Sequence, residues 1–281
     1  LITEHSLQRL NQYRDRFPGA QPALAIASIL DGNTAANLWT ISLPGAAEFI
    51  FLWDKGNNIF YLAGTPTAEI EPLLRDLIQT EVRPRALREG APYFKVHPFS
   101  AASTAALPRL FEDVTLHPLR TRFYRFEQAA VDAIPQPAVD DLHFGLIDRP
   151  FLERDDLTNL DEIRGEIEWM WPSLDRFYTH GFGIAAVNAD SAVSADIAVC
   201  WCTAEYVSRS QCGIGIATVP AYQRRGIATA AAVRFVEESL HRGLIPHWEC
   251  NEQNLPSLRV AEKVGFTILE ANDFWAGNFA R

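Results

Sequence analysis

The chain is short of positive charge. It sets 25 Lys and Arg against 35 Asp and Glu over 281 residues, a net charge of −10 with a pI near 5.2. Phosphate backbones demand a basic footprint, so no nucleic-acid partner is expected. Long apolar runs are also missing: nothing approaches the ~18 residues of a membrane span. The opening Leu1-Ile2-Thr3-Glu4-His5 has no basic start with an apolar stretch behind it. Neither a membrane segment nor a secretory signal is therefore expected. Cysteine is sparse, with Cys200, Cys202, Cys212 and Cys250 all on expected strands of the C-terminal half. Cys200-x-Cys202 on an alternating strand shares one face, but Cys-x-x-Cys pairs are absent, so buried free thiols are favoured over zinc and no metal is expected. Free thiols point to a reducing, cytoplasmic setting.

What is present fits two domains of ordinary soluble composition, with 48% apolar and 21% charged residues. The N-terminal half begins with a polar helix over residues 6–17. Strand candidates follow at 23–30 and 38–43, then a hairpin of 49–53 with 59–63 across Lys55-Gly56-Asn57-Asn58. Ile70, Leu73, Leu74, Leu77 and Ile78 form one stripe of a helix over 67–80. Residues 93–96 and 122–126 read as strands, while His97 and His117, each followed by Pro, read as loop residues. Pro135 and Pro137 make residues 128–141 a stiff connector between a domain at 1–135 and one at 140–281. The second domain opens with a strand at 143–147 and a helix carrying Leu160, Ile163, Ile167 and Met170, capped by Asn159 or Thr158. Strands are expected at 182–187, 197–207 and 212–219, the last two joined through Ser208-Arg209-Ser210.

The most informative stretch is Gln223-Arg224-Arg225-Gly226-Ile227-Ala228-Thr229, which lies between the strand ending at Val219 and a helix that begins at about Gly226. The unpaired N–H groups of a first helical turn, with the positive end of the helix dipole, form an anion site. Gly226 lets backbone approach a phosphate, Ala228 and Thr229 limit bulk, and Arg224 and Arg225 add charged donors. Downstream come a strand with His247-Trp248-Glu249-Cys250, a turn with Asn254, and a short helix with Ser257 that closes at Ala261-Glu262-Lys263-Val264-Gly265-Phe266.

From about residue 143 onward these motifs resemble the GNAT acyltransferases, specifically a poorly characterised bacterial branch with an extra N-terminal domain. The resemblance implies an α/β (α+β) fold: a mixed, mostly antiparallel sheet flanked by helices, preceded by a smaller mixed α/β domain that shapes the acceptor site. It implies acetyl-CoA as co-substrate, with its pyrophosphate on Gln223, Gly226 and Ala228, flanked by Arg224, Arg225, Ile227 and Thr229. Its pantetheine arm would lie along Ala217, Thr218 and Val219 and beside Asn254 and Ser257. Catalysis would be direct attack of an amine on the thioester, with the Val219 N–H as candidate oxyanion donor. Two positions depart from the family pattern. Ala261 stands where many members carry a Tyr acid, and Gly213 where many carry a strand glutamate.

If the hairpin turns at 208–210, Glu205 lies opposite Gly213 on one face and becomes the candidate base. Glu249 and His247, on one face of the next strand, are alternatives. Tyr222 and Tyr206 are candidate acids. The expected acceptor is a small-molecule or peptide amine, with oligomeric state open. The two departures leave a non-catalytic acyl-CoA binding or sensing module as the rival.

Overall fold

The computed structural model describes residues 1–45, 47–127, 139, 142–188 and 196–280. Pro135 and Pro137, with most of the expected connector, lie outside the described residues. Two compact units emerge, the first from residues 1–30, 34–121 and 272–281, the second from 31–33 and 122–271.

The first unit runs β1 (Ile2–His5), a 3-10 helix (Leu7–Arg16), α1 (Ala20–Leu30), β2 (Ala36–Ile41), β3 (Phe49–Asp54) and β4 (Ile59–Ala63). Then come α2 (Ile70–Leu77), a π turn (Ile78–Val82), α3 (Arg83–Arg88), β5 (Tyr93–Pro98), α4 (Ala101–Leu110) and β6 (His117–Phe126), whose residues from 122 onward count with the second unit. Strands β1 to β4 pair antiparallel in sequence order, and β4 pairs β5 in parallel. The β3–β4 hairpin falls where Gly56 and Asn58 suggested, with Asn58 at φ 49° and its Oδ1 accepting from the Trp53 indole at 2.7 Å.

Three expectations fail in this unit, the last being His117, which opens β6 rather than lying in a loop. Residues 23–30 form helix, not strand. The run is apolar nearly all round, so its periodicity is silent, and its alanines favour helix. His97 sits in β5, buried, with Nδ1 bonded to the Asp273 carbonyl at 3.0 Å. Its proline ends the strand without displacing the histidine. The core is aromatic: Phe60 stacks on Phe94 at 4.9 Å, and Phe94 meets Phe279 at 4.2 Å. Each fully buried Phe contributes roughly 2 kcal/mol.

The second unit runs β7 (His143–Leu146), α5 (Arg149–Leu152), β8 (Leu157–Thr158), α6 (Leu160–Met170), α7 (Leu174–His180), β9 (Gly183–Asn188), β10 (Asp196–Glu205) and β11 (Gln211–Thr218). A short 3-10 turn (Pro220–Tyr222) leads to α8 (Ile227–His241), β12 (Ile245–Asn251), α9 (Leu255–Val264) and β13 (Phe266–Asn278). Here the strand order is β13-β6-β12-β11-β10-β9-β7. Pairings β7/β9, β9/β10 and β10/β11 are antiparallel, and β11/β12 is parallel. The expected mixed, mostly antiparallel sheet flanked by helices is what forms. Its two faces are covered differently. The Cys212 thiol meets Ser239 of α8 on one, and the Trp201 indole meets Glu166 of α6 on the other.

Candidate active site

Strands β11 and β12 stay together for three residue pairs only: Gln211 with Ile245, Cys212 with Pro246 and Gly213 with His247. Beyond that point β11 continues to Thr218 and β12 to Asn251 without further pairing. The inner edge of β11 is thus opened by the strands parting. Which of its amides point into the gap follows from the other ladder. Val219 N–H donates to the Val199 carbonyl at 2.9 Å, so Val219 and Val199 form a hydrogen-bonded pair. Such pairs alternate along an antiparallel ladder, so residues 213, 215 and 217 also aim their backbone groups at β10. Ile214, Ile216 and Thr218 aim theirs at the β12 side. The Val219 N–H expected to polarise a carbonyl is therefore already committed, and it is the amides of Ile216 and Thr218 that face the gap.

The gap ends at the anticipated turn. Gln223 Nε2 donates to the Thr218 carbonyl at 3.1 Å, fastening the turn to the strand end. Arg224 has φ 61° and Gly226, the N-cap of α8, has φ 82°. Left-handed residues alternating in a turn direct successive N–H groups outward, which makes an anion cradle. Ala230 N–H bonds the Gly226 carbonyl at 3.0 Å, so intrahelical bonding begins there and leaves the first-turn amides of 227–229 outward. Nothing lies within 4 Å of a Cβ built on Gly226, so the approach is open. Ile227 is buried and anchors the turn, and Arg225 lies over the Tyr222 ring at 5.1 Å.

On the face covered by α6, Glu205 pairs with Gly213, Thr203 with Gly215 and Trp201 with Ala217. The register expected from the 208–210 turn is the one observed, closed by Ser208 N–H on the Gln211 carbonyl at 2.8 Å. A Cβ on Gly215 would meet Glu205 Oε1 at 2.2 Å and Thr203 Oγ1 at 3.2 Å. The Glu205 carboxylate therefore lies back along β10, over Gly215 and beside Thr203. His247, in the same cross-strand row, is buried and stacks on Phe123 at 5.0 Å, and neither ring nitrogen has a hydrogen-bond partner among the described residues. Burial, with the Arg125 charge adding, pushes its pKa down to about 4, so it is neutral near neutral pH.

The chain has counterparts among known proteins. The family model described as GNAT acetyltransferase matches residues 26–272. The chain belongs to the GNAT acetyltransferase family. A Bacillus subtilis (strain 168) protein, named uncharacterized N-acetyltransferase YdfB, is 30% identical over 111 residues, 39% of this chain, and the match spans 40% of that relative's length. Among solved structures, a GCN5-related N-acetyltransferase-like protein from Streptococcus suis aligns with a TM-score of 0.64 at 18% identity, covering 97% of this chain and 98% of that one. A tandem GNAT protein from the clavulanic acid biosynthesis pathway aligns with a TM-score of 0.55 at 11% identity, over 100% and 99% of the two chains. At these identities the two structures speak to fold alone.

The remaining GNAT positions are placed as follows. Asn254 caps α9, its side chain accepting from Ser257 N–H at 3.3 Å, and Ser257 Oγ accepts from the Trp248 indole at 2.9 Å. Asn254 is thus engaged in capping α9 and Ser257 in holding it to β12. Ala261, the site of the missing Tyr, is fully buried. Tyr222 OH accepts from Asn188 Nδ2 at 2.8 Å, which leaves its proton to donate. Tyr206 is buried at φ 46°, in the turn rather than on the open strand. Glu249 is half-buried on β12, two residues beyond His247 on the same face. The four thiols are buried and free, and burial raises Cys200 to about 11 and Cys212 to about 12, far from nucleophilic. Among the described residues no group of three or more His, Cys, Asp or Glu is arranged to hold a metal, and no helix is long and apolar enough to cross a membrane. Sequence reasoning passed over Gly215 and Glu166. The alternation Gly213-x-Gly215 was a usable signal for the first, and nothing in the sequence marked the second.

Proposed function

We propose that this chain transfers acetyl from acetyl-CoA to a primary amine by direct attack, with no covalent enzyme intermediate. The observation that carries the reading is the parting of β11 from β12 after Gly213 and His247, with the anion cradle of residues 224–229 at the end of the gap. The cradle takes the pyrophosphate, and the pantetheine arm lies along β11 as an added strand would. The Ile216 or Thr218 amide polarises the thioester carbonyl.

Glu205 takes the proton from the acceptor ammonium. The freed nitrogen lone pair attacks the thioester carbon, the C–S bond breaks with CoA leaving as thiolate, and the nitrogen gives up its second proton to water to complete the amide. A thiolate is a good leaving group, so its protonation by Tyr222 or water suffices without the absent Tyr at Ala261. Family membership and the open strand edge support this reading.

Thiol release from acetyl-CoA over a panel of primary amines tests it. Turnover is expected, and Glu205→Gln should lower kcat about a hundredfold or more while leaving CoA affinity intact. CoA binding without thiol release for any amine would favour the non-catalytic binding module instead. If Glu249→Gln, not Glu205→Gln, removes turnover, the base lies on β12.

A further inference from the structure

One carboxylate on the face covered by α6 has no role in that scheme. Glu166 projects from the flank of α6, and its Oε2 accepts from the Trp201 indole at 2.6 Å. Trp201 is buried on the same face of β10 as Thr203 and Glu205 and pairs with Ala217, on the strand whose far edge opens. Glu166 itself remains exposed. We propose that Glu166, held by Trp201 beside the candidate active site, binds a second cationic group on the acceptor and selects acceptors that carry two positive charges. This rests on the acetyl-transfer reading above.

Charge pairing is the first argument. Several carboxylates around α6 are matched to arginines, Asp161 to Arg164, Asp175 and Glu153 to Arg149, Asp156 and Asp196 to Arg154, while those of α6 at Glu162 and Glu168 have no arginine partner among the described residues. Among the described residues Glu166 has no such cation, only a neutral indole donor. Surrounding protein raises its carboxyl above the ordinary range, the indole bond opposes that by favouring the charged form, and Glu162 adds repulsion. A cation at this point would relieve both the desolvation and the repulsion.

Spacing is the second. Trp201 and Glu205 are four residues apart on one strand, about 13 Å between their Cα atoms. Glu205 leans back over Gly215, two residues before Ala217, the partner of Trp201, so Glu205 and the indole that holds Glu166 lie on one face of the sheet. The reacting amine belongs at the Glu205 end, where proton transfer occurs. A charge several methylenes away reaches the Glu166 end.

Binding measured without turnover separates this from the chemistry. With CoA present, calorimetry should show 1,6-diaminohexane binding about tenfold tighter than hexylamine, the usual worth of one charged hydrogen bond. Glu166→Gln should reduce the diamine to the affinity of the monoamine and leave hexylamine and CoA unchanged, with Glu166→Asp intermediate. Equal affinities in the wild type, or equal weakening of both amines by Glu166→Gln, would overturn the proposal. So would loss of thiol release with every amine in Glu166→Gln, since that would make Glu166 the base. Failure of acetyl transfer would show instead as absent thiol release with the diamine preference intact.

Discussion

In the first unit β4 stays registered with β5 over four residue pairs, Ile59 to Leu62, and the Phe99 N–H carries the ladder on to the Leu62 carbonyl at 3.0 Å. In the second, β11 leaves β12 after three pairs with residues 214–218 still to run. Apart from the two-residue β8 of the second, both units order their elements alike, as a strand, helical segments, three antiparallel strands, a helical segment, a parallel strand, a helix and a final strand. The difference lies in what fills the parallel pair. Phe60, Phe94 and Phe111 stack along the first, while Gly213, Gly215 and Ala217 bring no large side chain to the second. The turn after β4 is sealed by the Ser100 and Ser103 hydroxyls on the Gly64 carbonyl, at 3.0 and 2.9 Å. The turn after β11 points its amides outward. Even the buried histidines differ, since His97 has its carbonyl partner and His247 has none among the described residues. An edge that is fully paired has nothing to offer a ligand, so binding capacity here is a matter of leaving hydrogen bonds unmade.

The all-or-none form of this comparison is stoichiometric. Calorimetric titration should find one CoA per chain, and two equivalent sites would break the contrast outright. Next in size is a pH effect. The folded protein holds His247 neutral down to about pH 4, whereas an unfolded chain takes up that proton near 6.5. Stability tied to this group is therefore complete above about pH 6.5 and is lost as pH falls toward 4, by on the order of 3 kcal/mol. Denaturant midpoints for His247→Phe should show a flatter acid limb, and an unaltered limb would place the titration elsewhere.

Filling the small-residue face of β11 addresses catalysis. Gly215→Val puts a side chain where Glu205 Oε1 now lies, so kcat should fall about a hundredfold while CoA affinity holds. Undiminished turnover would mean that the carboxylate need not occupy that place. The smallest expected effect sharpens the contrast between the two turns. Gly226→Asp places a like charge at the cradle and should weaken CoA about tenfold. Equal affinity for wild type and variant would remove the pyrophosphate from residues 224–229.

Legibility followed the range of the interactions. The 49–63 hairpin, the strand, turn and helix of 212–229, and the pairing of Glu205 with Gly213 are set within a few residues by turn chemistry and alternation, and all three are visible in the sequence. Residues 23–30 were misread because an all-round apolar run has no period to measure. The Val219 amide was misassigned because the parity of a ladder is a property of two strands.

By itself, then, the order of residues determined the family, the anion turn and the small residues of β11, because glycine placement and helix capping act locally. Tertiary structure alone decided where β11 parts from β12, which of its amides face the gap, and that Glu166 of α6 meets Trp201 of β10. Those depend on strand parity and on the seat of a helix over a sheet, between residues 35 apart in the chain. No local pattern encodes them.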